Sequence, residues 1–102
     1  MIVMTLENVP DGIRGKVATY LIETANGVYV GDLSARVRDK LWELCEKGRK
    51  DGMVFQAWSC NNEQGFTMRM AGGARKVVDL EGLLFVQEPA RALSKVERSR
   101  TR

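Results

Sequence analysis

Two nearly continuous apolar runs constrain the fold of this chain more than any other feature of its sequence. They are Ile2–Leu6 and Met53–Trp58. A strand that shows one face to water alternates between apolar and polar residues, whereas a strand covered on both faces is apolar along most of its length. The sequence therefore predicts two strands that are each covered on both faces.

Two segments between these runs have the 3.6-residue apolar rhythm of amphipathic helices. The first is predicted to begin at Gly12 after a capping Asp11 and to end at Gly27. Its expected apolar face is formed by Ile13, Val17, Tyr20, Leu21 and Thr24. The second is predicted to be capped by Ser34 and ended by Gly48. Its expected inner face is formed by Val37, Leu41, Leu44 and Cys45.

Three further strands are predicted at Val28–Val30, Gly65–Met70 and Leu83–Val86, and the second of these alternates as an edge strand does. The order is strand, helix, strand, helix and three strands, which indicates an α+β, ferredoxin-like sandwich. That fold needs one more strand between the helices and one fewer after them. The strand at Val28–Leu33 could be longer than it looks. We favour the other solution, in which the late hairpin supplies the fourth strand of one antiparallel sheet with both helices on one face.

Two helices cover only one face of such a sheet, so something else must cover the other. The run Leu83–Val86 shows no alternation and has no second layer to receive it in a chain this short. A symmetric homodimer, with the C-terminal strand packing on the partner, would bury both apolar surfaces. The expected partner interface comprises Leu80, Leu83, Leu84, Phe85 and Val86. The alternative is that this run packs within its own chain.

The charge of the chain is concentrated at its C-terminus. The 102 residues carry a net charge of +3, and the segment after Pro89 has five basic residues against one acidic residue. Residues 89–102 therefore contribute +4, which leaves −1 for residues 1–88. We expect one domain over 1–88, followed by a basic, disordered tail over 89–102. The tail could be an arm that adds weakly to nucleic-acid or partner binding, or only a solubilising segment.

The composition excludes several classes of protein. The chain has no histidine, which removes Ser-His-Asp and Cys-His catalysis and zinc sites of the Cys/His kind. Its two cysteines, Cys45 and Cys60, cannot make a disulfide framework, and we expect free thiols. No segment approaches the ~18 apolar residues of a membrane span, and the N-terminal run lacks the features of a secretory signal. The expected location is the cytoplasm, with no membrane partner.

Two carboxylates follow predicted strands. Glu7 ends the first strand and Asp32 follows the second. In a symmetric dimer two copies of Glu7 could approach one another and share a Mg²⁺ ion that activates water on a phosphodiester. Glu7 is therefore the candidate catalytic and metal-binding residue. The alternative for both carboxylates is a role in a turn or beside a helix N-terminus.

Basic residues offer a second kind of site. The candidate DNA-binding residues are Arg14, Lys16, Arg36, Arg38, Lys40, Arg75 and Lys76. Gly15 within the first helix costs ~1 kcal/mol relative to alanine, which suggests close approach of a phosphate backbone or of another helix. A dimer would double each cluster into a track that positions duplex DNA without reading its sequence. The alternative is a solvated face with weak pairs such as Glu43–Lys47. For Trp42 and Trp58 we expect packing rather than stacking on bases.

Several runs carry a resemblance to a known family. Glu7–Pro10, Ile13–Val17 and Gly27–Ala35 resemble the CRISPR-associated protein Cas-two, type I-E branch. The resemblance continues through Trp42-Glu43, Gln56–Trp58, Gly65-Phe66 and Val78–Leu83. It spans residues 1 to about 88, and GVYVGDLSAR is its most specific part. It implies a ferredoxin-like homodimer that bridges, without catalysis, two dimers of the Cas-one integrase, which together insert foreign DNA into a CRISPR array. Other branches of the family are similar to metal-dependent nucleases.

The expected function is therefore spacer acquisition in CRISPR adaptation. The homodimer would bind double-stranded protospacer DNA without sequence specificity and bridge the integrase dimers, and it would need no cofactor for this. The alternative is a Mg²⁺-dependent endonuclease acting on RNA or DNA through Glu7 at the dimer axis. The nuclease-like branches carry an aspartate where this chain has Glu7. A third hypothesis, a small-ligand regulatory module, expects a pocket with convergent polar groups, and the sequence has no glycine-rich phosphate loop to supply one.

Overall fold

A computed structural model describes residues 1–88 of the chain, and the predicted basic tail 89–102 lies outside the described residues. The described elements follow in the order β1 (Ile2–Glu7), α1 (Asp11–Tyr20), β2 (Ile22–Ala25), β3 (Val28–Gly31), α2 (Ala35–Gly48), β4 (Met53–Ser59), β5 (Phe66–Ala71), β6 (Lys76–Leu80) and β7 (Leu83–Gln87). The mixed α+β class predicted from the sequence is confirmed.

The main sheet has five antiparallel strands in the order β2-β3-β1-β4-β5. The first four strands and the two helices form a ferredoxin-like unit, because each helix connects two strands that have a third strand between them. Strand β5 extends this unit at the edge next to β4, as its alternating pattern predicts. Strands β6 and β7 form a separate hairpin.

The sequence pattern missed two strands, β2 in the main sheet and β6 in the hairpin. Helix α1 ends at Tyr20 rather than at Gly27, because the backbone of Leu21 is already extended, at φ −127° and ψ 159°. The β-branched Ile22 belongs instead to a strand that pairs with β3, opposite Val30. The predicted helix end at Asn26-Gly27 is the two-residue turn between β2 and β3. The four predicted strands, which are β1, β3, β4 and β5, do lie in one antiparallel sheet as expected. What the prediction lacked is β2, which supplies the fourth strand of the ferredoxin-like unit, so that the late hairpin strand β5 is a fifth strand of the sheet.

The two helix starts differ in their caps. Ser34 caps α2 as predicted, since its hydroxyl accepts a hydrogen bond from the Val37 N–H at 3.3 Å. Asp11 does not cap α1. Pro10 occupies the N-cap position without a side-chain cap, and its carbonyl accepts from the N–H of Ile13 at 3.0 Å. Asp11 lies in the first helical turn, where a carboxylate favours the positive end of the helix dipole.

Both helices cover the same face of the sheet. The core is formed by Ile2, Met4, Leu6, Val9, Val17, Leu21, Tyr29, Leu41, Cys45 and Val54. Met4 is the centre of this layer, paired with Tyr29 on one side and with Gln56 on the other. Gln56 is the one buried polar residue among the described positions. Its amide therefore needs partners within the fold.

The opposite face of the sheet is apolar and has no helix over it in the described chain. One row across the strands is Val30, Val3, Ala57 and Met68, and the next is Val28, Thr5, Phe55 and Met70. All eight residues are partly exposed. The apolar runs Ile2–Leu6 and Met53–Trp58 are thus covered by helices on one face only, and the other face is partly exposed within a single chain.

The β6–β7 hairpin was only half predicted. Strand β6 has just two consecutive apolar residues, Val77 and Val78, between charged neighbours, so its pattern is weak. Its turn is formed by Glu81 and Gly82, both at positive φ, as a type I′ turn requires. Exposed apolar side chains on the hairpin are Leu80, Phe85 and Val86. Among the described helices, neither is long and apolar enough to cross a bilayer.

Candidate nucleic-acid interface

A glycine-rich loop joins β5 to β6 and presents two of the predicted DNA-binding residues, Arg75 at its end and Lys76 directly after it as the first residue of β6. Gly72 has a φ of +82°, and a Cβ there would collide with the carbonyl oxygen of Gly52. The Arg49 guanidinium lies beside Gly72 and donates to the Gly52 carbonyl at 3.0 Å. The loop is therefore seated on the connection between α2 and β4, and Arg75 and Lys76 leave it exposed to solvent.

Arg75 is held by a weak ion pair. Its guanidinium lies 3.2 Å from the Glu88 carboxylate, and the two side chains are 61% and 37% exposed. Exposed pairs of this kind contribute ~0–1 kcal/mol, so Arg75 can exchange Glu88 for another anion at little cost. Arg75 and Glu88 also line a cavity of about 420 Å³, together with Glu7, Met53, Met70, Gly73 and Ala74.

Glu7 is placed in this cavity by the end of β1, next to Met53 of β4. Asp32 lies at the other end of β1, where its carboxylate pairs with the Met1 ammonium group at 3.0 Å. Five residue steps along a strand span about 17 Å, so the two strand-end carboxylates of one chain cannot bind one metal ion. Among residues 1–88, no group of three or more His, Cys, Asp or Glu side chains is arranged to hold a metal.

Arg14 is fixed at the tip of the β2–β3 hairpin. Its guanidinium donates to Asn26 Oδ1 at 2.7 Å and to Glu23 Oε2 at 3.2 Å. Glu23 Oε2 also accepts from the Gly27 N–H at 2.9 Å, and this bond, followed by the Arg14 contact, lowers the pKa of Glu23. Because both of its partners lie on the hairpin, Arg14 connects the exposed side of α1 to that hairpin.

The neighbouring Gly15 faces open space. A Cβ at this position would have no heavy atom within 4 Å outside its own helix and chain neighbours. Helix packing within the described chain therefore does not explain the glycine. Close approach of an external backbone, the other reason considered from the sequence, stays a prediction.

Lys16 of α1 and Lys40 of α2 line the same groove between the two helices. The groove measures about 200 Å³ and is lined by Lys16, Tyr20, Val37, Lys40, Leu41 and Leu44. Arg36 lies one turn before Lys40 and is exposed. These three cations are available to an anionic partner, as are Arg75 and Lys76.

Arg38 sits differently from the other predicted DNA-binding residues. Its guanidinium lies 4.1 Å from the centroid of the Trp58 ring, and its side chain is 19% exposed. It also donates to Asp39 Oδ1 at 3.1 Å. Arg38 therefore contributes to the packing of α2 on the sheet, in addition to any role at the surface.

Arg69 is the residue that the sequence reasoning missed. Its guanidinium lies 4.8 Å from the ring centroids of both Trp42 and Trp58. It donates to Asp39 Oδ1 at 2.9 Å and to the buried Gln56 Oε1 at 2.8 Å. The available signal was a single arginine between apolar residues in the FTMRMA strand. Alternation alone would expose this arginine, and it is the pairing with Gln56 of β4 that places it on the helix-covered face.

The residues around Arg69 also provide hydrogen-bond partners for the buried Gln56 amide, and they change the pKa of the Asp39 carboxyl group. Gln56 Nε2 donates to the backbone carbonyl of Arg38 at 3.1 Å, which completes the connection between α2, β4 and β5. The hydrogen bond from Arg69, followed by that from Arg38, lowers the pKa of Asp39. The two tryptophans are therefore packing residues, each with an arginine over its ring.

The chain matches a protein-family model over residues 1–85, which includes the ferredoxin-like unit, β5, β6 and the start of β7. The family is described as CRISPR-associated protein (Cas_Cas2CT1978). The matched segment contains Glu7, Gly15, the β5–β6 loop and the Trp–Arg cluster, which comprises Arg38, Trp42, Trp58 and Arg69. Since the match covers well over half of the sequence, this chain belongs to the CRISPR-associated protein family Cas_Cas2CT1978.

Proposed function

We propose that this chain is the Cas-two protein of the type I-E branch and acts in spacer acquisition. Two copies form a homodimer that binds duplex DNA without sequence specificity and bridges two dimers of the Cas-one integrase. The observation that carries the proposal is the family match over residues 1–85, together with the resemblance of the GVYVGDLSAR segment to that branch. The role in spacer acquisition, the binding of duplex DNA and the contact with the integrase all belong to this proposal.

The DNA contact is supported by where the cations lie. Lys76 and Arg75 project from a loop seated against Gly52, so a phosphate would meet side chains with a fixed origin. Arg14 and Lys16 flank the uncovered Gly15 on α1. Contacts of this kind bind the backbone of a duplex and leave its bases unread, which suits a protein that accepts any foreign sequence.

The homodimer is supported by two uncovered apolar surfaces. One is the helix-free sheet face, and the other is the hairpin, where Leu80, Phe85 and Val86 are 58%, 46% and 39% exposed. Contiguous apolar patches are uncommon on monomers, and a second copy would bury them by symmetry. A two-fold dimer also presents each remaining surface twice, which is the geometry needed to connect two integrase dimers.

Charge reversal of the loop tests the DNA-binding part. Arg75→Glu combined with Lys76→Glu should abolish duplex binding in fluorescence anisotropy and spacer integration with the integrase, while size exclusion shows an unchanged dimer. Lys47→Glu is the control, since Lys47 is exposed and already paired with Glu43 at 2.9 Å. Duplex affinity at one stated salt concentration that is equal in all three proteins would contradict the proposal.

A nuclease is the second candidate, because Glu7 lines the 420 Å³ cavity beside Arg75. Mg²⁺ prefers six oxygen ligands in octahedral geometry, and among residues 1–88 of one chain the carboxylates that line this cavity are Glu7 and a Glu88 that is already paired with a cation. The residues of one chain therefore do not fit a metal site, and this candidate requires Glu7 from both copies. Loss of EDTA-sensitive cleavage in Glu7→Gln, with integration lost as well, would favour the nuclease over the bridge.

A further inference from the structure

We infer that Arg69 is a positioning residue for the basic β5–β6 loop. Its guanidinium joins the edge strand β5 to helix α2 and thereby fixes the place from which Arg75 and Lys76 project. The inference rests on the proposed contact between this loop and duplex DNA. It assigns to the Trp–Arg cluster a role in binding, beyond its contribution to packing.

Strand β5 has few other attachments to the helix layer. In the five-stranded sheet it pairs with β4 alone and lies outside the ferredoxin-like unit. Its helix-facing side chains are Thr67, Arg69 and Ala71, as the pairing with Trp58, Gln56 and Val54 shows. Thr67 and Ala71 are short. Arg69 is therefore the one side chain of β5 on this face that is long enough to reach across to α2.

The contacts of Arg69 come from both layers at once. Asp39 and Trp42 belong to α2, whereas Gln56 and Trp58 belong to β4. A planar guanidinium can donate in its own plane while its face lies over an aromatic ring, and a lysine ammonium cannot do both. A change at Arg69 should therefore loosen β5 relative to α2, and the loop that begins three residues later at Gly72 should move with it.

The competing explanation is that Arg69 contacts a phosphate directly. A substitution of Asp39 distinguishes this explanation from positioning. Asp39→Asn removes a negative charge and releases both Arg69 and Arg38 from their ion pairs. A direct contact then predicts tighter DNA binding, because a freed arginine and one fewer acid both favour an anion. Positioning predicts weaker binding by about tenfold, since the loop loses the support it receives through β5 and keeps only its seat on Gly52 and Arg49. Glu43→Gln is the matched control, because it removes a carboxylate one turn along α2 that touches Lys47 and no residue of the cluster.

Substitutions of Arg69 itself provide a second test that distinguishes positioning from a direct phosphate contact. Positioning predicts that Arg69→Lys binds duplex as poorly as Arg69→Met, whereas a direct contact predicts rescue by lysine. If the loop loses both phosphate contacts in each protomer, the slope of log K against log salt for the dimer should fall by about 3.6, against about 1.8 for loss of one direct contact in each protomer. Amide exchange of residues 71–76 should accelerate in both variants, with β1 and β4 protected as in the parent.

The experiment measures anisotropy of a labelled duplex over a salt series for the dimer and these variants, with circular dichroism confirming the fold. Tighter binding by Asp39→Asn, or full binding by Arg69→Lys, would overturn the inference. Arg75→Ala with Lys76→Ala tests the underlying function separately. If that pair binds DNA normally, the proposed DNA contact is wrong; if it loses binding while the Asp39 and Arg69 variants do not, only the positioning role is wrong.

Discussion

The side-chain amide of Gln64 bonds both backbone groups of Leu84. Its Oε1 accepts from the Leu84 N–H and its Nε2 donates to the Leu84 carbonyl, each at 2.9 Å. These two backbone groups point away from β6, so the glutamine takes the place that a neighbouring strand would occupy. This contact joins the β6–β7 hairpin to the connection between β4 and β5.

We expect Gln64→Glu to loosen the hairpin. The carboxylate would keep the bond from the Leu84 N–H but place a second acceptor against the Leu84 carbonyl. The loss should be about 1–2 kcal/mol in the local opening free energy of the hairpin. Native-state amide exchange at Leu84 reports it, with Gln87→Glu at an exposed site of the same hairpin as the control. Unchanged protection at Leu84 would show that the bidentate contact contributes nothing.

The substitution Gly15→Ala tests separately the stability of the fold and the binding of duplex DNA. Because a Cβ at Gly15 meets nothing within 4 Å, alanine should raise the free energy of unfolding by about 0.5–1 kcal/mol. If a phosphate backbone approaches this surface, the same change should weaken duplex binding. Gly12→Ala on the same helix also meets nothing and serves as the control. A stabilised protein with full DNA affinity would show that no backbone comes close to Gly15.

The ion pairs of Asp39 with Arg38 and Arg69 should make the free energy of unfolding depend on pH. Arg69 and then Arg38 hold the pKa of Asp39 below its ordinary value of 3.8. A carboxyl whose folded pKa is depressed stabilises the fold above its unfolded pKa, and this contribution is lost as pH falls through the folded pKa. Urea unfolding should therefore show that Asp39→Asn is less stable than the parent near pH 6 and that the difference narrows below about pH 4. A constant difference across that range would contradict the pairing.

The two thiols should differ in reactivity. Burial raises the pKa of Cys45 to about 11, whereas Cys60 is partly exposed. The thiolate is the reacting form, so at about pH 8 we expect a thiol reagent to label Cys60 alone in the folded protein. Both should react in urea, and Cys60→Ser should leave none under native conditions. Rapid labelling of Cys45 in the folded Cys60→Ser protein would show that the core opens locally.

The exposed hairpin residues test assembly. Leu80→Asp with Phe85→Asp should leave the fold of a single chain intact, because these side chains are 58% and 46% exposed. If a second copy or the integrase covers them, a buried unpaired charge should break that contact. Size exclusion and integrase binding are the measurements. Wild-type behaviour in both would exclude the hairpin as an interface.

The local sequence pattern was sufficient to predict those elements whose residues favour a single type of secondary structure. Ile2–Leu6 and Met53–Trp58 are β-rich apolar runs, and both are strands. Ser34 precedes a clean helical rhythm and caps α2. The strand predicted over Gly65–Met70 was expected at an edge because its residues alternate, and β5 is the last strand of the sheet.

Tertiary structure decided the outcome where one sequence pattern was compatible with two types of secondary structure. It also decided which residues meet when the two partners of a contact are distant in sequence. Residues 22–25 continue the apolar rhythm of α1, yet pairing with β3 makes them a strand, and this strand completes the ferredoxin-like unit. Arg69 could have been read as an exposed residue of a half-buried strand. Its partner Asp39 is 30 residues away, and they meet only because α2 packs across β4 and β5. Periodicity reports which face of an element is apolar, whereas contacts between elements depend on how those faces are brought together.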